Sequence, residues 1–255
     1  MMNRYLASVG IMVLLVVAAF GIFNYLVDPM LIFHHRGGDS ATLDRVDQFR
    51  NMRLYKPIQV SQHKPDTIFI GSSRTGPLRP EHPGLEGARP YNFAVPGITI
   101  NELSLSVRHA QAHQPLARLV VGIDYQAVVS PKPRQRPGFE QARMARSRSD
   151  ISSRSYLRQR FKDLQASLFS FDILAESITA LAPPPEPRIR QFFADGAWRS
   201  ITRQLTGRGG YIFSARNTVS TGVDMRFGAD RNLALLGEVM EFCYRNNIET
   251  RFFFT

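Results

Sequence analysis

One cysteine in 255 residues, Cys243, leaves no intrachain disulfide framework and no cysteine-based zinc cluster. Lysine is scarce too. It occurs only at Lys56, Lys64, Lys132 and Lys162, so all but four of the 32 basic residues are arginine. The formal net charge of +11 is therefore an arginine charge, which genome base composition produces as readily as selection for an anionic partner. Internal repeats and low-complexity tracts are lacking. No histidine and carboxylate set has metal-ligand spacing, so neither metal nor cofactor is expected. Apolar residues are plentiful: 44% are hydrophobic and 11% aromatic, which supports a packed core and excludes a disordered or collagen-like chain. The length suits one large α/β domain or two small ones.

The longest apolar run is Leu6 to Val27, uncharged and with Asn24 as its one strongly polar residue. As a helix it covers roughly 33 Å, matching a ~30 Å hydrocarbon core. A cleavable signal has a shorter apolar region, ~7–15 residues, and then a small-x-small site. No Ala-x-Ala lies where such a region would end, so the run reads as an uncleaved anchor over residues 1–28. Arg4 precedes it and Asp28 follows. The positive-inside rule then puts the remaining chain on the extracytoplasmic side of a bacterial cytoplasmic membrane, as a single-pass periplasmic domain. On that side nucleic acid is not an expected partner. Anionic lipid head groups or acidic cell-surface polymers fit the positive charge.

Residues 29–65 read as a juxtamembrane connector with a short helix around Leu43 to Leu54. A strand is predicted at Thr67–Ile70, followed by a loop rich in proline and glycine from Gly76 to Pro90. A second extended run, Tyr91–Val95, ends at Pro96-Gly97. Thr99 and Glu102 have capping-box spacing at the head of a helix carrying Leu103, Val107 and Ala110 on one face. A third strand, Leu119–Ile123, ends at Asp124. Residues 131–162 read as an exposed basic insertion running from Arg134 to Lys162, with Arg143, Arg154, Arg158 and Arg160 among its charges. A helix is predicted over Tyr156–Leu181, another over Asp230–Arg245, and a last strand over Thr250–Thr255. Strands alternating with helices give a mostly parallel α/β sheet flanked by helices over residues 66–255. Ligands gather at the carboxyl ends of such strands.

Those ends carry the candidate chemistry. Ser73, in Gly71-Ser72-Ser73-Arg74, follows a buried-looking strand. A serine nucleophile needs an exposed hydroxyl on a tight turn, and acyl transfer needs backbone N–H donors for the oxyanion, which Gly97 would supply. The same serine also suits plain helix capping. The block order Gly-Ser-Ser-Arg, then Tyr-Asn-Phe-Ala-Val-Pro-Gly, then Leu-Val-Val-Gly-Ile-Asp resembles that of SGNH/GDSL-type hydrolases. More narrowly it resembles the membrane-anchored SGNH-like proteins related to alginate and cell-wall O-acetyltransferases. The resemblance covers residues 60–125. It implies an SGNH/flavodoxin-like three-layer sandwich, Ser73 as nucleophile, Gly97 in the oxyanion hole, and Asp124 where the third block has asparagine.

Three positions depart from the pattern. Ser72 replaces the usual acidic residue. Asp124 replaces asparagine, and an ionised carboxylate cannot donate to an oxyanion, so Asn92 or Asn101 is the alternative donor. The Asp-x-x-His block that supplies the base is absent. In the family it lies beyond a strand like Phe252–Phe254, so the resemblance implies the front part of a longer protein. Of the histidines present, His82 is the nearest to Ser73 in sequence and reads as a loop residue or a base. Arg74 either orients an acidic substrate or pairs with a carboxylate. Trp198 reads as core packing or a sugar-stacking platform. The expected function is an esterase or O-acyltransferase on cell-surface polysaccharide, with that polymer or an acyl-donor protein as partner. The alternative is a non-catalytic envelope protein that binds an anionic polymer or a membrane partner through the same scaffold.

Overall fold

A computed structural model describes residues 2–33, 46–79, 83–129, 136–182, 190–200 and 226–254. Four parallel strands form the sheet: β1 (Thr67–Ile70), β2 (Pro90–Asn92), β3 (Arg118–Ile123) and β6 (Glu249–Phe254), in the order β2-β1-β3-β6. A separate antiparallel pair is made by β4 (Arg190–Phe192) and β5 (Trp198–Ser200). The helices are α1 (Met2–Val27), α2 (Met52–His63), α3 (Ile100–His113), α4 (Tyr125–Val129), α5 (Arg154–Phe169), α6 (Phe171–Leu181) and α7 (Arg226–Arg245). The architecture is α/β. α2 packs on α3 and α3 on α7, and α3 carries the chain from β2 back to β3, a helical crossover of the kind parallel pairing commonly uses.

Three of the four predicted strands appear within a residue of their expected places, while β2 ends at Asn92, three residues short of the expected Val95. Thr99 and Glu102 do form the capping box of α3. The segment expected as a connector is different. Its described part contributes Met30, Ile32, Val46, Met52, Tyr55, Ile58 and Val60 to the same core as the strands. Of the helix expected around Leu43–Leu54, residues 43–45 lie outside the described residues, Gln48–Asn51 form a 3-10 turn and α2 begins at Met52. The predicted 156–181 helix is two helices, α5 and α6, meeting at an angle of 52° at Ser170.

α2 contains Pro57, which has no N–H to give the carbonyl of Arg53 one turn earlier. Arg143 fills the gap: its Nη1 donates to that carbonyl at 2.7 Å. The rest of the guanidinium meets Asp163 of α5 in two parallel bonds, Nε to Oδ2 at 2.7 Å and Nη2 to Oδ1 at 2.8 Å. Arg143 is only 8% exposed. Within the expected basic surface, then, one arginine is an internal cross-link between α2 and α5.

α1 is long and apolar enough to cross a membrane. Its last turns join the domain rigidly. Asn24 Nδ2 donates to the Leu168 carbonyl, and its Oδ1 accepts from Ser177 Oγ. Past the helix, Asp28 accepts from the N–H groups of Ile32 and Phe33. The amides of Gln48, Gln59 and Gln62 then donate to the carbonyls of Pro29, Met30 and Ile32.

Replacing Asp163 by Leu would strand the buried Arg143 charge and should lower unfolding stability by about 3–5 kcal/mol. Urea melts in detergent should show the Arg143→Leu/Asp163→Leu double variant recovering much of that loss. It should fall short of wild type, because the Arg53 carbonyl then has no donor. A single variant as stable as wild type would show that the pair carries no weight.

Candidate functional site

The strand order makes the site. From β1 the chain goes to one neighbour, β2, then crosses back through α3 to the other, β3. Such a reversal opens a crevice at the carboxyl ends of the strands concerned. Ser73 follows β1, Gly97 follows β2 and Asp124 follows β3, so all three stand at that end of the sheet. The β1 and β2 exits stay laced together beyond the strands, with Phe93 N–H donating to Phe69 O and Val95 N–H to Gly71 O.

Behind β1 the chain makes consecutive turns rather than a helix. Ser72 is buried and its hydroxyl accepts from Arg74 N–H at 3.2 Å, which shapes the turn and leaves Ser73 partly exposed. Gly71 is required by space, since a Cβ there would lie 2.1 Å from Thr75 Oγ1 and 2.5 Å from the Gly122 carbonyl. Gly97 has φ +61, the left-handed region that favours glycine. Its loop is clamped from two sides. Arg53 Nη2 donates to Pro96 O and to Glu102 Oε2, each at 3.0 Å, while Arg136 Nε donates to Gly97 O at 3.2 Å. Glu102, almost fully buried, also accepts from Arg136 N–H.

Asp124 is partly buried and its Oδ1 lies 3.4 Å from Arg74 Nη1, an ion pair spanning the crevice. Asn92 is unsuited to be an oxyanion donor. Its Nδ2 donates to the carbonyls of Thr75, Gly76 and Leu78 at 3.0, 3.2 and 2.9 Å, and its Oδ1 accepts from Ala94 N–H. Its amide is thus spent holding the loop after Ser73. Trp198 is core packing: its ring stands edge-on to Phe49 and packs against Gly76, and its backbone N–H donates to Gly76 O.

The three described histidines, His63, His109 and His113, lie away from the carboxyl end of the sheet. α3 begins near Gly97 and runs away from the crevice, so His109 is roughly 14 Å along it at ~1.5 Å per residue. His109 accepts from Ala145 N–H at Nδ1 and faces Pro57 O through Nε2, which fixes a neutral ring with its proton on Nε2. His113 Nε2 lies 3.1 Å from Tyr156 Oη. Burial pulls His109 down to about 3, with His113 adding to the effect, and burial with Arg160 pulls His113 to about 4. His63 precedes β1, at the amino end of the sheet. His34, His35, His82 and Arg134 lie outside the described residues. No group of three metal-ligating side chains occurs among the described residues.

Beneath the site is a residue that sequence reasoning passed over. Lys56 on α2 is fully buried, and its Nζ donates to Asn92 O at 2.9 Å, Ala94 O at 2.7 Å and Gly196 O at 2.8 Å. Burial lowers its pKa to about 7, against a raising contribution from Asp195. The one available signal was a lysine set among Tyr55, Pro57 and Ile58 in a chain with few lysines.

No family model, curated protein or solved structure matches the chain.

Lys56→Met would leave three buried carbonyls without donors and free the 193–197 turn. We expect a loss of about 3 kcal/mol and faster amide exchange at Asn92 and Ala94; unchanged exchange there would remove Lys56 from its bridging role. The histidines give a pH dependence. Their folded pKa values lie below the unfolded value near 6.5, so the unfolded chain takes up the protons first as pH falls. Stability should be intact above pH ~6.5 and decline towards pH ~4, by up to about 1.4 kcal/mol per pH unit per histidine. Urea midpoints across that range should flatten in His113→Gln; equal slopes would show that His113 does not contribute.

Proposed function

We propose that the crevice is a site of acyl transfer, with Ser73 as nucleophile, in an SGNH-like domain that a single membrane helix holds on the extracytoplasmic face. The substrate class is an acyl ester on cell-surface polysaccharide. The observation that carries this reading is a partly exposed Ser73 on a tight turn at the sheet's switch point, with a left-handed Gly97 at the neighbouring strand exit. Ser73 Oγ would bond the acyl carbon and pass its proton to a base while the sugar alkoxide leaves, protonated in turn. Water or a second sugar hydroxyl would then release the acyl group. The Gly97 N–H would stabilise the tetrahedral oxyanion. Among the described residues no histidine lies within reach of Ser73, so the base would come from elsewhere in the protein.

That same observation, with Arg74 paired to Asp124, supports a second reading: a non-catalytic scaffold whose crevice binds an anionic polymer. Arg74 would exchange the Asp124 carboxylate for one on the ligand. The buried Arg143 takes no part, whereas Arg146 and Arg148 are exposed and free to contribute to the basic surface.

A serine-directed fluorophosphonate, applied to the full chain in its native membrane, separates the two. Labelling that disappears in Ser73→Ala, together with loss of hydrolysis of a small acetyl ester, supports acyl transfer. An unlabelled wild type, retained on an acidic polysaccharide until Arg74→Gln is introduced, supports binding and overturns the nucleophile.

A further inference from the structure

The elbow of α5 and α6 is unusually apolar on its open side. Phe171 is 80% exposed, and Leu157, Phe161, Phe169, Ile178 and Leu181 are exposed with it. On α6, Phe171, Leu174, Ile178 and Leu181 follow helical spacing along one face. On α5, Leu157 and Phe161 are one turn apart, and Arg154, Arg158 and Lys162 form a parallel exposed stripe beside them. Asp172 is the exposed acidic residue at the elbow itself.

The elbow's position relative to α1 identifies what covers it. Phe20 of α1 meets Phe169 and Phe171 with ring centroids 6.4 and 5.6 Å apart. A Cβ on Gly21 would lie 2.8 Å from the Phe169 ring. Asn24 holds both elbow helices through Leu168 and Ser177. Phe20 is seven residues before the end of α1, about 10 Å along the helix axis. Were that stretch in water, only Tyr5–Ala19 would remain for the span, about 22 Å of helix against a ~30 Å hydrocarbon core. α1 can cross the bilayer only if the residues touching the elbow are inside it.

We propose that the α5–α6 elbow is a second membrane-binding element. It would seat Phe169, Phe171, Ile178 and Leu181 at the headgroup–acyl boundary of the bilayer that α1 crosses, with Arg154, Arg158 and Lys162 on anionic lipid phosphates. Long basic side chains beside an apolar stripe suit this depth, because their stems lie along apolar surface while the charges reach the headgroups. The occupant is lipid, since a stripe at this level of α1 faces acyl chains and headgroups on its open side.

The proposal rests on α1 crossing the membrane, and the test keeps the two apart. The full chain, carrying Cys243→Ala, is reconstituted in phosphatidylcholine/phosphatidylglycerol vesicles. Spin labels are placed singly at Leu14→Cys, Phe171→Cys, Leu181→Cys and Tyr244→Cys. Tyr244, 84% exposed, is the aqueous reference. Labels at 171 and 181 should be reached by oxygen and shielded from a water-soluble nickel chelate, as at 14. If 14 is shielded while 171 and 181 are as open to chelate as 244, the elbow does not enter lipid and its cover is a protein partner. If 14 is itself open to chelate, the anchor fails and this proposal with it. In the Arg154→Gln/Arg158→Gln/Lys162→Gln variant the 171 label should become more chelate-accessible, and only when phosphatidylglycerol is present. No change would overturn the headgroup contact.

Discussion

The ammonium of Lys56 is the contact on which the site's construction depends. β2 is only three residues long, and the carbonyls at its end have no further strand to meet. Lys56 reaches up from α2 and satisfies two of them, Asn92 and Ala94, together with Gly196 from the β4–β5 turn. Three N–H groups meet three acceptors, so the protonated form is the one that fits. A neutral amine would leave a carbonyl without its hydrogen. Burial works against the charge and the carbonyls work for it, which is why an isolated lysine persists in the core. Through Asn92 the same contact extends to Thr75, Gly76 and Leu78, the loop that carries the chain away from Ser73.

α2 does this on more than one side. Arg53, a turn earlier, clamps the Gly97 loop through Pro96 and Glu102. Pro57 opens a gap in the helix that draws in Arg143 and, behind it, Asp163 of α5. Gln59 and Gln62 hold the strap after α1. One twelve-residue helix thus links the crevice, the elbow and α1. α1 is joined to the crevice by a path of short polar contacts.

This is also where sequence reading reached its limit. The four strands of the parallel sheet were legible because β-branched and aromatic runs bounded by glycine and proline have few other uses, and the α3 start was legible from Thr99 and Glu102; the short β4 and β5 were not. α2 was not. Its segment, MRLYKPIQVSQH, holds a proline and six polar or charged side chains on surfaces that turn out to be buried or half-buried. By pattern Lys56 and Gln59 read as solvent-facing, because nothing local shows the distant backbone carbonyls, Asn92, Ala94 and Gly196 for one and Met30 for the other, that accept from them. Arg143 was misread for the same reason. Among the arginines from 134 to 160 nothing local marks the one with a partner 20 residues on. Asn92 matched an expectation by type alone, and its geometry gives it a structural task instead.

Arg74 and Asp124 bear on both functional readings. Their ion pair is exposed on the arginine side, with the Arg74 side chain 57% accessible, and pairs of that kind contribute at most about 1 kcal/mol. A carboxylate or phosphate on a ligand can therefore exchange with Asp124 at little cost and take the better-oriented face of the guanidinium. In acyl transfer that exchange would hold an acidic sugar next to Ser73. In a binding protein it would be the recognition event itself. The Gly97 and Ser73 turns, by contrast, are fixed by Arg53, Glu102 and Asn92, through side chains that are buried or largely so. The crevice thus combines a rigid backbone with one largely exposed charge. That division suits a site in which the ligand is selected by charge and positioned by the main chain.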